Sequence, residues 1–189
     1  MKRILIAAAA LLVLAGCGGG STGAASSGPA ASSGGLAYVN PGGTQGQFAL
    51  IQDAASTSAV LVLDLVGPDL TPACGVTFGF DVDATRAVWS TKPVVANGTL
   101  FPAPATGIQL VQGWVNGARL QAIVANKGLT GQVADIGQSK GVIGQIRLTP
   151  VPGAAAGAVT LADNGLGSLL DNTGTVTPVQ VLVGTLTLH

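Results

Sequence analysis

Gly75-Val76-Thr77-Phe78-Gly79-Phe80-Asp81-Val82-Asp83 is the stretch that decides the fold of this chain. Large apolar side chains occupy every second position, which is the period of a β-strand with one buried face. The side chains predicted to face a core are those of Val76, Phe78, Phe80 and Val82. The opposite face carries Thr77, Gly79, Asp81 and Asp83. The stretch therefore predicts one strand of a layered β-protein.

Similar short apolar segments extend on both sides of this strand. Strands are predicted at 47–53, 59–66, 87–90, 108–115, 119–125, 142–149, 158–162 and 179–188. Asn116-Gly117 separates two of them and is the strongest short hairpin signal. In 59–66 both faces are largely apolar, as is typical of a central strand. Short strands at this spacing, without a helical apolar stripe, predict an all-β antiparallel sandwich.

The composition limits the classes of partner. Charged residues make up 8% of the 189 residues, against roughly 25% in typical soluble proteins. All eight acidic residues are Asp, and two of the eight basic ones are Lys2 and Arg3. A nucleic-acid partner requires a concentrated basic surface. The balance of charge therefore argues against nucleic-acid binding.

The N-terminus has the organisation of a secretory signal. Lys2-Arg3 precedes an apolar run over residues 4–14, and small residues lead to Cys17. The run is shorter than the roughly 20 apolar residues of a membrane-spanning helix. This pattern predicts a signal peptide.

Leu14-Ala15-Gly16-Cys17 resembles the lipobox of bacterial lipoproteins. The resemblance implies lipidation of Cys17, anchoring in a membrane, and, with Gly18 next, sorting to the outer membrane of a bacterial cell envelope. Gly, Ser and Ala dominate the following residues, which predicts a flexible tether. We therefore expect a signal peptide at 1–16, the lipidated cysteine and linker at 17–35, and a folded domain at 36–189.

The folded part resembles cohesin domains and the related carbohydrate-binding modules. The resemblance lies in residues 76–89, in the Gly141 to Leu148 segment and in the closing stretch 174–188. Asp83 falls on the family's Asp, whereas Val82 and Ala84 replace its Tyr and Pro. The family implies a nine-stranded antiparallel jelly-roll sandwich.

The resemblance to cohesins implies a non-catalytic module for protein binding or scaffolding. In that family the partner docks on a sheet face, and small polar residues are expected on such faces here. They are Thr77, Gly79, Gln109 and Gln121. The alternatives are a polysaccharide-binding module and a structural subunit of a cell-surface assembly, which would associate through an exposed strand edge.

Trp89 and Trp114 are the only tryptophans. Exposed on one face, they would provide a stacking platform for sugar rings. Trp114 shares parity with Ile108 and Leu110, and Trp89 lies in an apolar stretch, so core packing is favoured for both.

No catalytic constellation is evident. The only His is His189, which argues against a His-based triad or metal site. Asp81 and Asp83 share a strand face, but two carboxylates are too few for calcium, and a solvated strand end is favoured. Cys74 is predicted to be a small buried apolar residue. We therefore expect no enzyme activity and no cofactor.

Overall fold

The computed structural model describes residues 34–68, 72–90, 95–99, 108–127, 134–135, 141–171 and 173–189. The predicted signal peptide, Cys17 and nearly all of the predicted linker lie outside the described residues. None of the residues within these ranges forms a helix that is long and apolar enough to cross a membrane.

Strands account for most of the described chain. They are β1 (Leu36–Val39), β2 (Phe48–Gln52), β3 (Leu61–Val66), β4 (Pro72–Ala73), β5 (Gly75–Val82), β6 (Ala87–Trp89), β7 (Val95–Asn97), β8 (Ile108–Asn116), β9 (Arg119–Lys127), β10 (Ala134–Asp135), β11 (Gly144–Pro150), β12 (Gly157–Val159), β13 (Leu161–Asp163), β14 (Ser168–Leu170), β15 (Val176–Pro178), β16 (Val181–Leu182) and β17 (Thr185–Leu188).

Two six-stranded sheets form the body. The first sheet has the order β16-β2-β3-β11-β6, and β7 also pairs with β11. The second sheet has the order β15-β14-β5-β9-β8, and β13 also pairs with β5. All pairs in these sheets are antiparallel except β16 with β2. Two smaller sheets, β1-β17-β12 and β10-β4, complete the described fold.

The core lies between the inner faces of the two large sheets. Its largest fully buried side chains come from both sheets and from the residue before β11: Leu50, Leu61, Leu63, Leu65, Phe78, Phe80, Leu120, Ile143, Ile146 and Leu148. A methyl group added at Gly144 of β11 would lie 3.0 Å from a methyl of Val124 in β9. This close approach shows that the two sheets pack directly on each other.

The expected all-β sandwich is confirmed, and its strand count of nine is not. Within the described residues, some of the seventeen strand segments follow one another along the same neighbouring strand. β6 and β7 pair with successive parts of β11, and β13 and β14 pair with successive parts of β5. Interruptions of this kind therefore contribute to the larger number of segments.

The alternation predicted for residues 75–83 is observed in β5. Val76, Phe78, Phe80 and Val82 are buried. Thr77 and Asp81 on the other face are partly exposed. β3 is covered on both faces, as predicted for a central strand, because Leu63 and Leu65 are fully buried and Val62 is 4% exposed.

Candidate functional site

The outer face of the second sheet carries the candidate site. The strand register places Gly79 of β5 beside Gln121 of β9, and Gln121 beside Trp114 of β8. The next row on the same outer face, farther from the β8–β9 turn, contains Thr77 of β5 and Ile123 of β9. We call this surface the tryptophan face and define it by Thr77, Trp114, Gln121, Ile123 and Leu166.

A shallow groove of about 320 Å³ runs across the tryptophan face. Trp114 lies on the β8 side and Leu166 on the β14 side, with Thr77, Gln121 and Ile123 between them. Trp114 is 51% exposed and Leu166 is 47% exposed. Two large apolar side chains held open to solvent around one groove form a surface suited to contact with a partner.

Leu166 is presented by the short connection between β13 and β14. Its backbone N–H donates to the side-chain oxygen of Asn164 at 3.2 Å. Its carbonyl accepts a hydrogen bond from the Thr77 hydroxyl at 3.4 Å. Gly165 has φ +74°, the left-handed conformation that favours glycine. These contacts hold Leu166 over the sheet.

The Asn164 side chain packs closely against Gly79. The Asn164 N–H donates to the Gly79 carbonyl at 3.2 Å. A Cβ at Gly79 would lie 2.5 Å from the Asn164 side-chain oxygen and 2.8 Å from its nitrogen. Any larger residue at position 79 would therefore displace the end of the Asn164 side chain, whose oxygen accepts the Leu166 N–H.

An ion pair lies at the hairpin end of the tryptophan face. Arg119 donates to both carboxylate oxygens of Asp81, at 2.9 and 3.0 Å. These hydrogen bonds hold the pKa of Asp81 below its ordinary value and raise the pKa of Arg119. Because each group neutralises the other, this end of the face adds little net charge.

Asp83 does not join Asp81 in a site. It follows the end of β5, and its carboxylate accepts hydrogen bonds from the backbone N–H and hydroxyl of Thr85. These bonds hold its pKa below the ordinary value. Across the described ranges no three His, Cys, Asp or Glu residues come close enough to hold a metal ion. The two aspartates therefore have structural partners, a strand neighbour and a turn.

The structure separates the two tryptophans. Trp89 is 4% exposed, as expected for core packing. Its indole N–H donates to the Ala118 carbonyl at 2.7 Å, in the turn between β8 and β9. Its ring therefore lies beneath the surface and takes no part in the tryptophan face.

The prediction that Trp114 packs in the core is wrong. Trp114 does lie on the same face of β8 as Leu110, as predicted, but this face, formed by the even-numbered residues, is the outer one. The register pairs Gly113 with Ala122 and Trp114 with Gln121, and Ala122 is buried together with its β5 partner Phe78. Alternation in β8 could not show which parity faces the core.

Two further expectations are corrected by the structure. Gln109 of β8 pairs with Asn126 and lies on the face opposite to Gln121, so it is not part of the tryptophan face. Cys74, between β4 and β5, is half-buried and not buried as predicted. Leu166 and Ile123 were not predicted for the site. An apolar residue directly after the Asn164-Gly165 turn was the available signal for Leu166.

Comparison with known proteins identifies the fold. No family model matches the chain, and no curated protein matches it. Solved structures do match. The sixth cohesin of scaffoldin B from Acetivibrio cellulolyticus, solved in complex with a mutant Cel5 dockerin, is 16% identical with a TM-score of 0.53, covering 74% of this chain and 96% of that one.

Two other cohesins give similar values. A type II cohesin from the A. cellulolyticus cellulosome is 12% identical with a TM-score of 0.55, covering 75% of this chain and 94% of that one. A type I cohesin of OlpA from Clostridium thermocellum, solved in complex with a dockerin, is 14% identical with a TM-score of 0.53, covering 74% and 96%. The described domain has a cohesin-like β-sandwich fold.

Proposed function

We propose that this protein is a non-catalytic binding module whose tryptophan face contacts a protein partner. The observation that carries the proposal is the groove between the exposed side chains of Trp114 and Leu166. Exposed aromatic and aliphatic side chains around a groove are the usual anchors of protein interfaces. The likeness to cohesins solved with dockerins supports a protein as the class of partner.

The charge distribution of the tryptophan face favours recognition by shape. Its defining residues are uncharged, and the adjoining Asp81 and Arg119 pair with each other. Association driven by apolar contact depends little on ionic strength, whereas association between opposite charges weakens with salt. A partner should therefore bind about equally well at low and high salt.

Site-specific photocrosslinking tests the surface directly. A photoreactive amino acid replaces Gln121 on the tryptophan face or, as a control, Val88 on the outer face of the first sheet, which is 40% exposed. In cells producing the full chain we expect a discrete protein adduct from position 121 and none from position 88. The same adduct from both positions, or only from position 88, would contradict the assignment.

Loss of contact should confirm the groove once that adduct is identified. Trp114→Ala and Leu166→Ala should each weaken binding of the crosslinked protein tenfold or more, in line with about 1.4 kcal/mol or more for an interface anchor. Val39→Ala is the matched control, because Val39 is 68% exposed on β1 outside this sheet. Unchanged affinity in both groove variants would exclude the groove.

A polysaccharide is the second candidate partner, and the exposed ring of Trp114 is the observation that favours it. Such a module needs two or more exposed aromatics on one face. Among the described residues Trp114 is the only exposed aromatic, since Tyr38, Phe48, Phe78, Phe80 and Trp89 are buried; Phe101 lies outside them. Retention of the full chain on immobilised polysaccharide, abolished by Trp114→Ala, would favour this candidate over the first.

We propose further that lipid on Cys17 anchors the module in the cell envelope, at the outer membrane, behind a signal peptide at 1–16. The beginning of β1 at Leu36 supports a folded domain that starts where the predicted linker, 17–35, ends. Mass spectrometry of membrane-extracted protein should find diacylglyceryl on Cys17, and Cys17→Ser should abolish it. An unmodified Cys17 thiol in that fraction would refute the anchor.

A further inference from the structure

Two aspartates meet on the outer face of the first sheet. In β3, Asp64 lies between Ile51 of β2 and Gln145 of β11. Asp53 follows the end of β2, at the start of the connection to β3. Both carboxylates are bonded to the same amide group: the side-chain nitrogen of Gln145 donates to Asp53 at 3.1 Å and to Asp64 at 2.9 Å. We call Asp53 and Asp64 the carboxylate pair.

Asp53 is held in place by its other contacts. Its backbone N–H donates to the Val62 carbonyl at 3.0 Å. Its second carboxylate oxygen accepts the Ala55 N–H at 2.6 Å. One carboxylate oxygen of Asp53 therefore stabilises the first turn of the β2–β3 connection, and the other accepts the hydrogen bond from the Gln145 amide. A rotation of its side chain away from Asp64 would break both hydrogen bonds.

The surroundings offer the carboxylate pair little charge compensation. The outward neighbours of Asp64 on β3 are Val62 and Val66, which are 4% and 9% exposed. On β11 the next outward residue is Arg147, which pairs in register with Val62. Within the described ranges neither aspartate has a salt bridge; the pairs found are Arg86–Asp83 and Arg119–Asp81. Two partly buried negative charges would therefore face each other across a neutral amide.

The burial of Asp64 and the negative charge of Asp53 both raise the pKa of Asp64. Burial is the larger effect, and the hydrogen bond from protonated Asp64 to Asp53 and the repulsion between the carboxylates add to it. The Gln145 hydrogen bond acts in the opposite direction. Together these effects raise the pKa of Asp64 from 3.8 to about 6. Close carboxylates retain one proton for this reason.

We infer that Asp64 retains a proton in mildly acidic surroundings and donates it to Asp53, which fastens the start of the β2–β3 connection to β3, and that release of this proton leaves two negative charges repelling each other beside the Gln145 amide and loosens the connection. The device is independent of the tryptophan face, which lies on the other sheet. It gives the domain a stability that depends on pH in a range where free aspartates are already ionised.

The direction of the effect follows from linkage. The folded-state pKa of Asp64 lies above the unfolded value, so its contribution to stability is fully present below the unfolded pKa of 3.8 and is lost as the pH rises to about 6. Because Asp64 is only partly buried, solvent reduces the effect. We expect the ratio of folded to unfolded protein to fall about tenfold between about pH 4 and about pH 7 from this group.

Carboxyl-carbon NMR of the full chain tests the inference. One aspartate should titrate near pH 6 in the wild type, and Asp64→Asn should remove that titration. Asp53→Asn should lower the midpoint of Asp64, because it removes the neighbouring negative charge. Asp81→Asn is the matched control, since Asp81 is paired with Arg119 on the other sheet, and it should leave the midpoint unchanged.

Denaturant unfolding of the same proteins gives the second readout. The fall in stability with rising pH should disappear in Asp64→Asn and persist in Asp81→Asn. The inference is overturned if Asp64 titrates at or below 3.8, if Asp53→Asn leaves its midpoint unchanged, or if Asp64→Asn keeps the wild-type pH slope. If Asp64→Asn fails to fold, the wild-type titration and Asp53→Asn decide the question.

Discussion

The regions around Trp89 and Trp114 contain the same residue type in opposite environments. Trp89, in the short strand β6, is 4% exposed, and Trp114, in the long strand β8, is 51% exposed. Both regions meet at the β8–β9 turn, where the Trp89 indole donates to the Ala118 carbonyl. One tryptophan thus contributes to the stability of the sandwich, and the other is available for binding.

This difference shows that strand position outweighs local hydrophobicity. Trp89 pairs with Leu148 of β11, which is fully buried and faces the second sheet. Trp114 pairs with Gln121, on the outer face of its sheet. Because the period of a strand is two residues, one step in register exchanges the buried and exposed faces completely. The neighbours across the sheet therefore decide what each tryptophan does.

The largest expected effect separates the two tryptophans. Trp89→Ala should lower the free energy of unfolding by about 3–5 kcal/mol, because it empties a packed site between the sheets. Trp114→Ala should change it by less than about 0.5 kcal/mol, as is usual for exposed positions. Urea unfolding at neutral pH measures both. Equal losses in the two variants would contradict the environments described here.

A conservative variant separates the stability contributed by the buried ring of Trp89 from that of its indole hydrogen bond. Trp89→Phe keeps most of the buried ring and removes the indole donor. The Ala118 carbonyl also accepts the Val82 N–H at 3.0 Å, so it stays hydrogen-bonded in this variant. We therefore expect Trp89→Phe to cost about 1–2 kcal/mol, clearly less than Trp89→Ala.

Crowding at Gly79 should give the next effect. Gly79→Ala places a methyl group against the Asn164 side chain and should destabilise the domain by about 1–3 kcal/mol. Asn164→Gly should relieve part of this loss in the double variant, which a double-mutant cycle measures. Gly79→Ala should also weaken partner binding, because Asn164 and Leu166 lie in the same connection between β13 and β14. Additive losses in the cycle would exclude direct contact between the two positions.

The β8–β9 turn provides a smaller effect that acts on both regions. Gly117 has φ +59°, and a Cβ there would meet no neighbouring atom within 4 Å. Gly117→Ala should therefore cost about 1 kcal/mol from backbone strain alone. Gly153→Ala is a matched control with φ +75° in another turn. A loss well above that of the control would show that the turn also supports the Trp89 hydrogen bond.

The smallest effect is expected at the exposed ion pair. Arg119→Gln should return the pKa of Asp81 toward its ordinary value, since Arg119 is the main cause of the lowering. A lowered folded-state pKa contributes stability above the unfolded value of 3.8, and this is lost as the pH falls through the folded pKa. The variant should therefore be slightly less stable at neutral pH, with a difference that shrinks in acid or high salt.

Local signals were sufficient for much of the fold. Residues 75–83 alternate strictly, and β5 has the predicted buried face. Asn116-Gly117 predicted a hairpin, which β8 and β9 form. These predictions succeeded because a two-residue period and a turn with positive φ depend on neighbouring residues only. Residues 59–66 predicted a strand buried on both faces, and β3 is one.

Other features depended on contacts between distant residues. The stretch 158–162 was predicted as one strand but divides at Thr160, where β12 pairs with β17 and β13 pairs with β5. After β13, the connection that carries Leu166 separates β13 from β14. The carboxylate pair brings residues 53, 64 and 145 together, across 81 and 92 positions of sequence. No local pattern indicated these arrangements.

The amino-acid sequence by itself determined the secondary structure class, the main strands, the tight hairpin and the scarcity of charge. Only the tertiary structure decided that Trp89 is buried and Trp114 exposed, that Leu166 completes the groove, and that Asp53 meets Asp64. The physical reason is that alternation along a strand specifies two faces without specifying which one is covered. That choice is made by the packing of the two sheets against each other, which depends on the whole chain.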